Sequence, residues 1–176
     1  MAVCDSLTGG ITLGCDNNIG GIVELYITEK SNVSSVTLSS PGDEISAFTM
    51  AGSPAAVFYK FEFNKNTSSY TEEENNDQAS GRTLVTQTIN LVLNRREKSK
   101  RDVLLLVGKR KDLVAVVKDA NGLYWYFGET LGINLTTNSG GSGVAKTDAN
   151  QYVLTFVGEE PSPANTVEAA ALTAVI

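Results

Sequence analysis

The chain has 176 residues, 41% of them hydrophobic, with 14 Lys+Arg against 20 Asp+Glu, a formal net charge of −6 and no His. That length and apolar share suit one domain with a real core. The lack of His excludes Ser-His-Asp and Cys-His catalysis and the His-bearing zinc sites; the acidic balance argues against wrapping DNA, and no stretch approaches the ~20 apolar residues of a membrane span.

The chain carries 16 Gly and only 4 Pro, the balance of a turn-rich β protein. Met1–Gly10 lacks the basic-then-apolar pattern of a secretory signal, so an intracellular product is expected. In that setting Cys4 and Cys15 are expected as two free thiols rather than a disulfide, and two Cys make no structural zinc site.

Residues 1–21 are rich in Gly, Asn, Asp and Thr and read as an irregular arm ending at Gly20-Gly21. Ile22–Thr28 and Val33–Ser39 have the β-branched content of strands, and the short link Glu29–Asn32 makes them candidate neighbours. Pro41-Gly42-Asp43 marks a turn. Glu44–Met50 has a pattern that does not decide between strand and loop. Val57–Asn64 alternates, with Val57, Tyr59, Phe61 and Phe63 on one face. Arg82–Asn94 is the matching long run, with Thr83, Val85, Gln87, Ile89, Leu91 and Leu93 on one face against Leu84, Thr86, Thr88, Asn90 and Val92. Between them, Lys65–Gly81 reads as a polar, projecting loop. Its Glu72-Glu73-Glu74-Asn75-Asn76-Asp77 lacks the spacing of a calcium-binding loop, so a solvated or partner-facing role is expected and no metal.

The pattern then switches to helix, from about Lys98 to Val107, with Leu104, Leu105 and Val107 turned inward and Gly108 as C-cap. Eight of the 14 cations fall between Arg95 and Lys111. No aromatic residue interleaves with them for base stacking, so a salt-bridging surface meeting a neighbour's Glu72–Asp77 is the expectation. Next, Leu113–Val117 and Leu123–Phe127 flank Asp119-Ala120-Asn121-Gly122, a strong hairpin signal for a type I′ turn. The second arm, Tyr124-Trp125-Tyr126-Phe127, points to both faces of a strand. One face is core, and the other needs cover from a helix, a second sheet or another copy of the chain. Leu131–Thr137 and Gln151–Val157 are strands around the Gly/Ser-rich Asn138–Asn150. That loop misses the phosphate-binding P-loop pattern: Ala145 stands where Gly is needed, and a strand follows where a helix is needed. Gly158–Pro163 ends the domain, leaving 162–176 as a mostly apolar tail that packs on something, another subunit included.

These elements predict a mainly β domain, an antiparallel β-sandwich or barrel with one flanking α-helix, over residues 22–161. The succession of Gly20-Gly21-Ile22, a pair of long strands with a protruding loop, one helix, then D-A-N-G-L-Y-W-Y-F-G-E-T-L-G (119–132) and S-G-G-S-G with D-A-N-Q-Y-V-L-T-F-V-G-E-E-P (139–161) resembles tailed-bacteriophage tail-tube-type structural proteins, including those of phages of Bacteroides-like hosts. Val114–Pro161 carries the resemblance most clearly. The resemblance implies a tail-tube-like fold and a non-enzymatic virion protein without cofactor. Such a protein is made in the host cytoplasm and assembles into homo-oligomeric rings. The rings stack by loops and arms, bind other tail or connector proteins, and pass DNA through the lumen without reading its sequence. Tyr70, Glu72, Glu73, Glu74, Asp77, Arg95, Arg96, Arg101 and Trp125 are the expected contacts between subunits. Thr83, Gln87 or their neighbours on the opposite face would line the lumen. The alternatives are a head–tail connector ring, a capsid decoration protein, or a carbohydrate-binding β-sandwich that stacks sugars on Tyr124, Trp125 and Tyr126.

Overall fold

The computed structural model describes residues 9–39, 44–77 and 79–176. The expected turn at Pro41-Gly42-Asp43, Cys4 and the first eight residues of the arm lie outside them. Among the described residues eleven strands form one coiled sheet: β1 (Ile22–Glu29), β2 (Val33–Leu38), β3 (Glu44–Met50), β4 (Tyr59–Phe61), β5 (Ser69–Asp77), β6 (Arg82–Asn94), β7 (Leu113–Asp119), β8 (Tyr124–Phe127), β9 (Ile133–Gly141), β10 (Gln151–Glu160) and β11 (Asn165–Val167). Helix α1 (Lys98–Lys109) joins β6 to β7, and a short α2 (Ala169–Thr173) ends the chain. The strand order is β2-β3-β11-β8-β7-β9-β10-β6-β5, with β1 bridging β7 and β4.

The architecture is a β-sandwich with a flanking helix. One layer holds β4, β1, β7 and β8; the other holds β9, β10, β6 and β5. Among the described residues, strand pairing crosses between them only at Leu113 and Ile133, where β7 meets β9. Period two then decides what each layer buries. Leu25 and Ile27 of β1, Leu113, Ala115 and Val117 of β7 and Phe127 of β8 face Ile89, Leu91 and Leu93 of β6 and Leu154 and Phe156 of β10. The intervening residues Tyr26, Val114, Val116 and Tyr126 point the other way into a second core. There β3 and the C-terminal residues close over them, supplying Ile45, Phe48, Val167, Ala171, Leu172 and Val175.

Several expectations change. β1 and β2 are not neighbours: β1 pairs with β7 and β4, while β2 pairs with β3. Ser69–Asp77 is no loop but a strand paired along its whole length with β6. Its polar residues are tolerated because one face and the outer edge stay wet. The Val57–Asn64 run contributes only the three residues of β4; Tyr59 is 63% exposed and the buried ring is Phe58. Glu44–Met50 is a strand, and it runs parallel to β11, so the sheet is mixed. The tail is no separate arm: it supplies β11 and α2 to its own second core. In α1 Gly108 lies inside the helix and Arg110 is the C-cap; Leu104 is buried and Val107 packs inward, but Leu105 is half exposed. The 100° step of a helix carries 105 off the stripe that 104 and 107 share.

The connection Gly128–Gly132, which turns the chain from β8 into β9 and the other layer, is held by buried side chains. The Glu160 carboxylate accepts the amides of Thr130, Leu131 and Gly132 at 2.8–3.0 Å. Gln87 accepts the Gly128 amide at 3.0 Å and donates to Glu72, which also accepts the Ala164 amide. A buried carboxamide and carboxylate persist here because each has its partners. Opposite them Gly158 lets β10 approach closely: a Cβ there would meet the Gly132 carbonyl and the Ile133 side chain at 2.7 Å.

Gly158→Ala is therefore expected to destabilise the fold by about 1–3 kcal/mol through overpacking. Gly141→Ala, with nothing within 4 Å of its Cβ, should stay within about 0.5 kcal/mol. Urea unfolding of the two variants checks both. The second core also fixes a pH dependence. Burial, then the hydrogen bond to Glu24, raises the Tyr26 phenol from 10.0 to about 12. Burial also raises Tyr126. A raised phenol favours the protonated, folded state. This contribution is complete below pH 10 and is lost as pH rises toward and past 12. Alkaline unfolding followed by phenolate absorbance should show these rings ionising with loss of structure, and Tyr26→Phe should flatten that loss.

Candidate assembly surfaces

The central hairpin is built on a three-residue loop. The Asp119 amide donates to the Leu123 carbonyl and the Gly122 amide to the Asp119 carbonyl. Gly122 has φ of 94°, while Asn121 is not among the residues with positive φ. This is a turn closed by one left-handed glycine rather than the type I′ pair expected from Asn-Gly. The Asp119 carboxylate accepts the Leu123 amide at 2.9 Å and the Trp125 indole N–H at 3.1 Å. The freed Asn121 side chain tethers the N-terminal arm: its Oδ1 accepts the Ile19 amide at 2.8 Å and its Nδ2 donates to Asn18 Oδ1.

The aromatic cluster is covered by its own chain. Tyr126 is buried in the second core and Tyr124 packs against it, while Phe127 is buried in the first core and Trp125 packs there, half-buried. Trp125 thus packs, half-buried, against its own fold, and the three rings expected as a sugar platform share no open face.

The other expected contact residues divide. The Tyr70 ring lies 5.3 Å from Phe127, and burial raises its phenol. Glu72 is committed to Gln87 and Ala164. Both are internal supports. Glu73 and Glu74 are exposed on β5. Asp77 closes the β5–β6 turn, and hydrogen bonds from Ser80 and Ala79 hold its carboxyl below the usual range. At the opposite end of β6, Arg95 pairs with Glu97 at 3.1 Å and Arg101 with Asp102 at 3.0 Å, all solvent-exposed. Such pairs contribute little stability. Arg96 lies over the Tyr152 ring, 5.3 Å from its centroid.

Register shows what these residues have in common. Glu73 and Glu159 both oppose Thr86, on either side of β6, and Asp77 opposes Arg82. The basic run starts beyond Asn94. Asn94 is eight strand steps on from Thr86, about 26 Å. The long sheet is therefore acidic at one end and basic at the other. Its outward face carries Thr71, Thr86, Thr88, Asn90, Thr137 and Thr155, interspersed with Leu84, Val92, Val153 and Val157. Gln87 turns inward and is buried, so the Thr86 side is the open face. Among the described residues the outer edges of β5 and β2 end the strand order unpaired. Sequence reasoning missed both edges, because being an edge is a property of strand order.

Among the described residues no group of three or more Cys, Asp or Glu is placed to hold a metal ion. A strand, β10, follows the Gly/Ser-rich loop, whose Asp148 accepts the Val144 and Ala145 amides within the loop itself. No family model, curated protein or solved structure matches the chain.

Asn121→Ala removes the acceptor of the Ile19 amide. Amide hydrogen exchange should then quicken at Ile19 by the equivalent of about 0.5–1.5 kcal/mol, with β7 and β8 unchanged.

Proposed function

We propose that the protein is a non-enzymatic structural subunit that closes into homo-oligomeric rings of the phage tail-tube kind, stacked around a lumen that passes DNA. The observation that carries this reading is the pair of unlike free edges on one sheet. β5 presents Glu73 and Glu74 beside its open edge, whereas β2 (Val33-Ser34-Ser35-Val36-Thr37-Leu38) has no charge. Two β5 edges repel each other, which disfavours a symmetric dimer. Joining β5 of one copy to β2 of the next is heterologous, and a heterologous contact that closes makes a ring. Closure would remove both free edges.

The open face of β5, β6, β10 and β9, where Thr and Asn side chains alternate with Val and Leu, suits the lumen. A wall with no row of cations does not hold the phosphate backbone, so DNA slides past it. The separation of Glu73, Asp77 and Glu159 from Arg95, Arg96 and Arg101 along the sheet supports polar, head-to-tail stacking of rings.

Negative-stain electron microscopy with native mass measurement across a concentration series tests the reading. Rings with a central pore are expected, lengthening into stacks at low salt and separating at high salt as exposed charges are screened over about 8 Å or less. Ser35→Glu with Thr37→Glu on β2 should block closure, and Glu73→Lys with Glu74→Lys should restore it. Monomers at every concentration would sink the proposal.

A further inference from the structure

β4 has one unpaired side. It pairs with β1 through Leu25–Phe61, Tyr26–Lys60 and Ile27–Tyr59, and with no other strand among the described residues. Beside it runs a cleft whose far wall is α1. The consecutive residues Tyr59, Lys60, Phe61 and Glu62 all line the cleft, so it opens onto the backbone edge of β4 rather than onto one of its faces. Val103, Leu104 and Ser99 line the facing helix, and Leu106 and Val107 continue that wall. The two halves of the cleft measure about 460 and 390 Å³ and share Tyr59, Phe61 and Val103. Tyr59 is 63%, Leu106 61% and Val103 48% exposed, an apolar surface open to water.

The same chain carries a segment with the complementary character. Ile11 and Leu13 on the N-terminal arm are 102% and 100% exposed, touching nothing. They are two residues apart, so an extended backbone sets both on one side. Gly9 and Gly10 before them have nothing within 4 Å of where a Cβ would stand, and residues 9–15 carry no charged side chain. An extended stretch from Gly9 to Cys15 spans about 23 Å, and the 12 residues of α1 about 18 Å. The arm is pinned at Asn18, Ile19 and Gly21 to the turn of the central hairpin, and residues 9–17 before that pin are exposed and line neither half of the cleft.

We infer that the cleft between β4 and α1 receives the N-terminal arm of a second copy of this chain. Residues 9–15 add to the free edge of β4 as a strand, and Ile11 and Leu13 pack against Val103 and Leu106. Strand addition supplies main-chain hydrogen bonds to the open edge, and the alternating side chains supply selectivity. This contact goes beyond the edge closure proposed above, since it uses neither β5 nor β2.

Cys15 provides the test. In a Cys4→Ser, Leu106→Cys full-length chain, a short bis-maleimide should link Cys15 to the introduced thiol between copies, giving dimers and higher species on a denaturing gel. Cys15→Ser should abolish them. A linked monomer would mean that the arm enters its own cleft, and an unlinked chain that it enters neither; each overturns the inference. Independently, Ile11→Asp with Leu13→Asp should reduce the oligomer fraction at least tenfold by native mass while leaving Tm unchanged, because these two side chains contact nothing in their own fold. An unchanged oligomer fraction would also overturn it. Adding Ser35→Glu and Thr37→Glu separates the two ideas: cross-linking through the arm should persist in that background even where rings do not close.

Discussion

Strand β7 has to satisfy two cores at once. Leu113, Ala115 and Val117 face the space between the two layers, and Val114 and Val116 face the space beneath β3 and the C-terminal helix. Every one of these five residues is buried. A strand apolar on both sides is stable only if both sides are covered. That requirement explains why the tail returns to the sheet and why β8 carries aromatic residues on both of its faces. At roughly 25 cal/mol per Å² of apolar surface removed from water, leaving either face open would cost more than a domain of this size has to spare.

The second constraint is polar. The chain must pass from one layer to the other after β8, and Gly128–Gly132 does so with backbone amides that no strand pairs. Glu160 and Gln87 satisfy four of those amides from inside the protein. Gly128 and Gly132 adopt positive φ, and a Cβ on Gly128 would meet the Leu113 carbonyl and the Ile133 amide at 2.9 Å. The crossing is thus fixed by hydrogen bonding and by the absence of side chains, while the layers it joins are fixed by apolar burial. The rest of the sheet inherits its relative placement from this corner.

With the cores satisfied internally, what remains open is informative. Among the described residues the open groups include backbone edges and an apolar cleft: the outer sides of β2, β5 and β4, and the surface between β4 and α1. Exposed edges and fully exposed apolar side chains on an arm are liabilities in an isolated molecule. The edges lie at the margins of the sheet, and the cleft reaches down to Ile27, Leu93, Leu104 and Leu113 of the first core.

Local patterns in the sequence determined a good part of this protein. Alternation along Arg82–Asn94 names the residues of β6 that are buried, because a strand's faces depend only on period two. The Asn121-Gly122 pair between apolar runs marks the hairpin, and the cation-rich, Leu-rich stretch after Asn94 marks α1. Tertiary structure alone decided the rest. Ser69–Asp77 is a strand because β6 offers it hydrogen-bonding partners, not because Thr-Glu-Glu-Glu favours one. Trp125 faces inward because β7 and β8 are covered on both sides by segments far away in the chain. The free edges, the cleft beside β4 and the separation of acidic from basic ends arise from strand order and register. Both are set by long-range pairing that a residue's sequence neighbours do not encode.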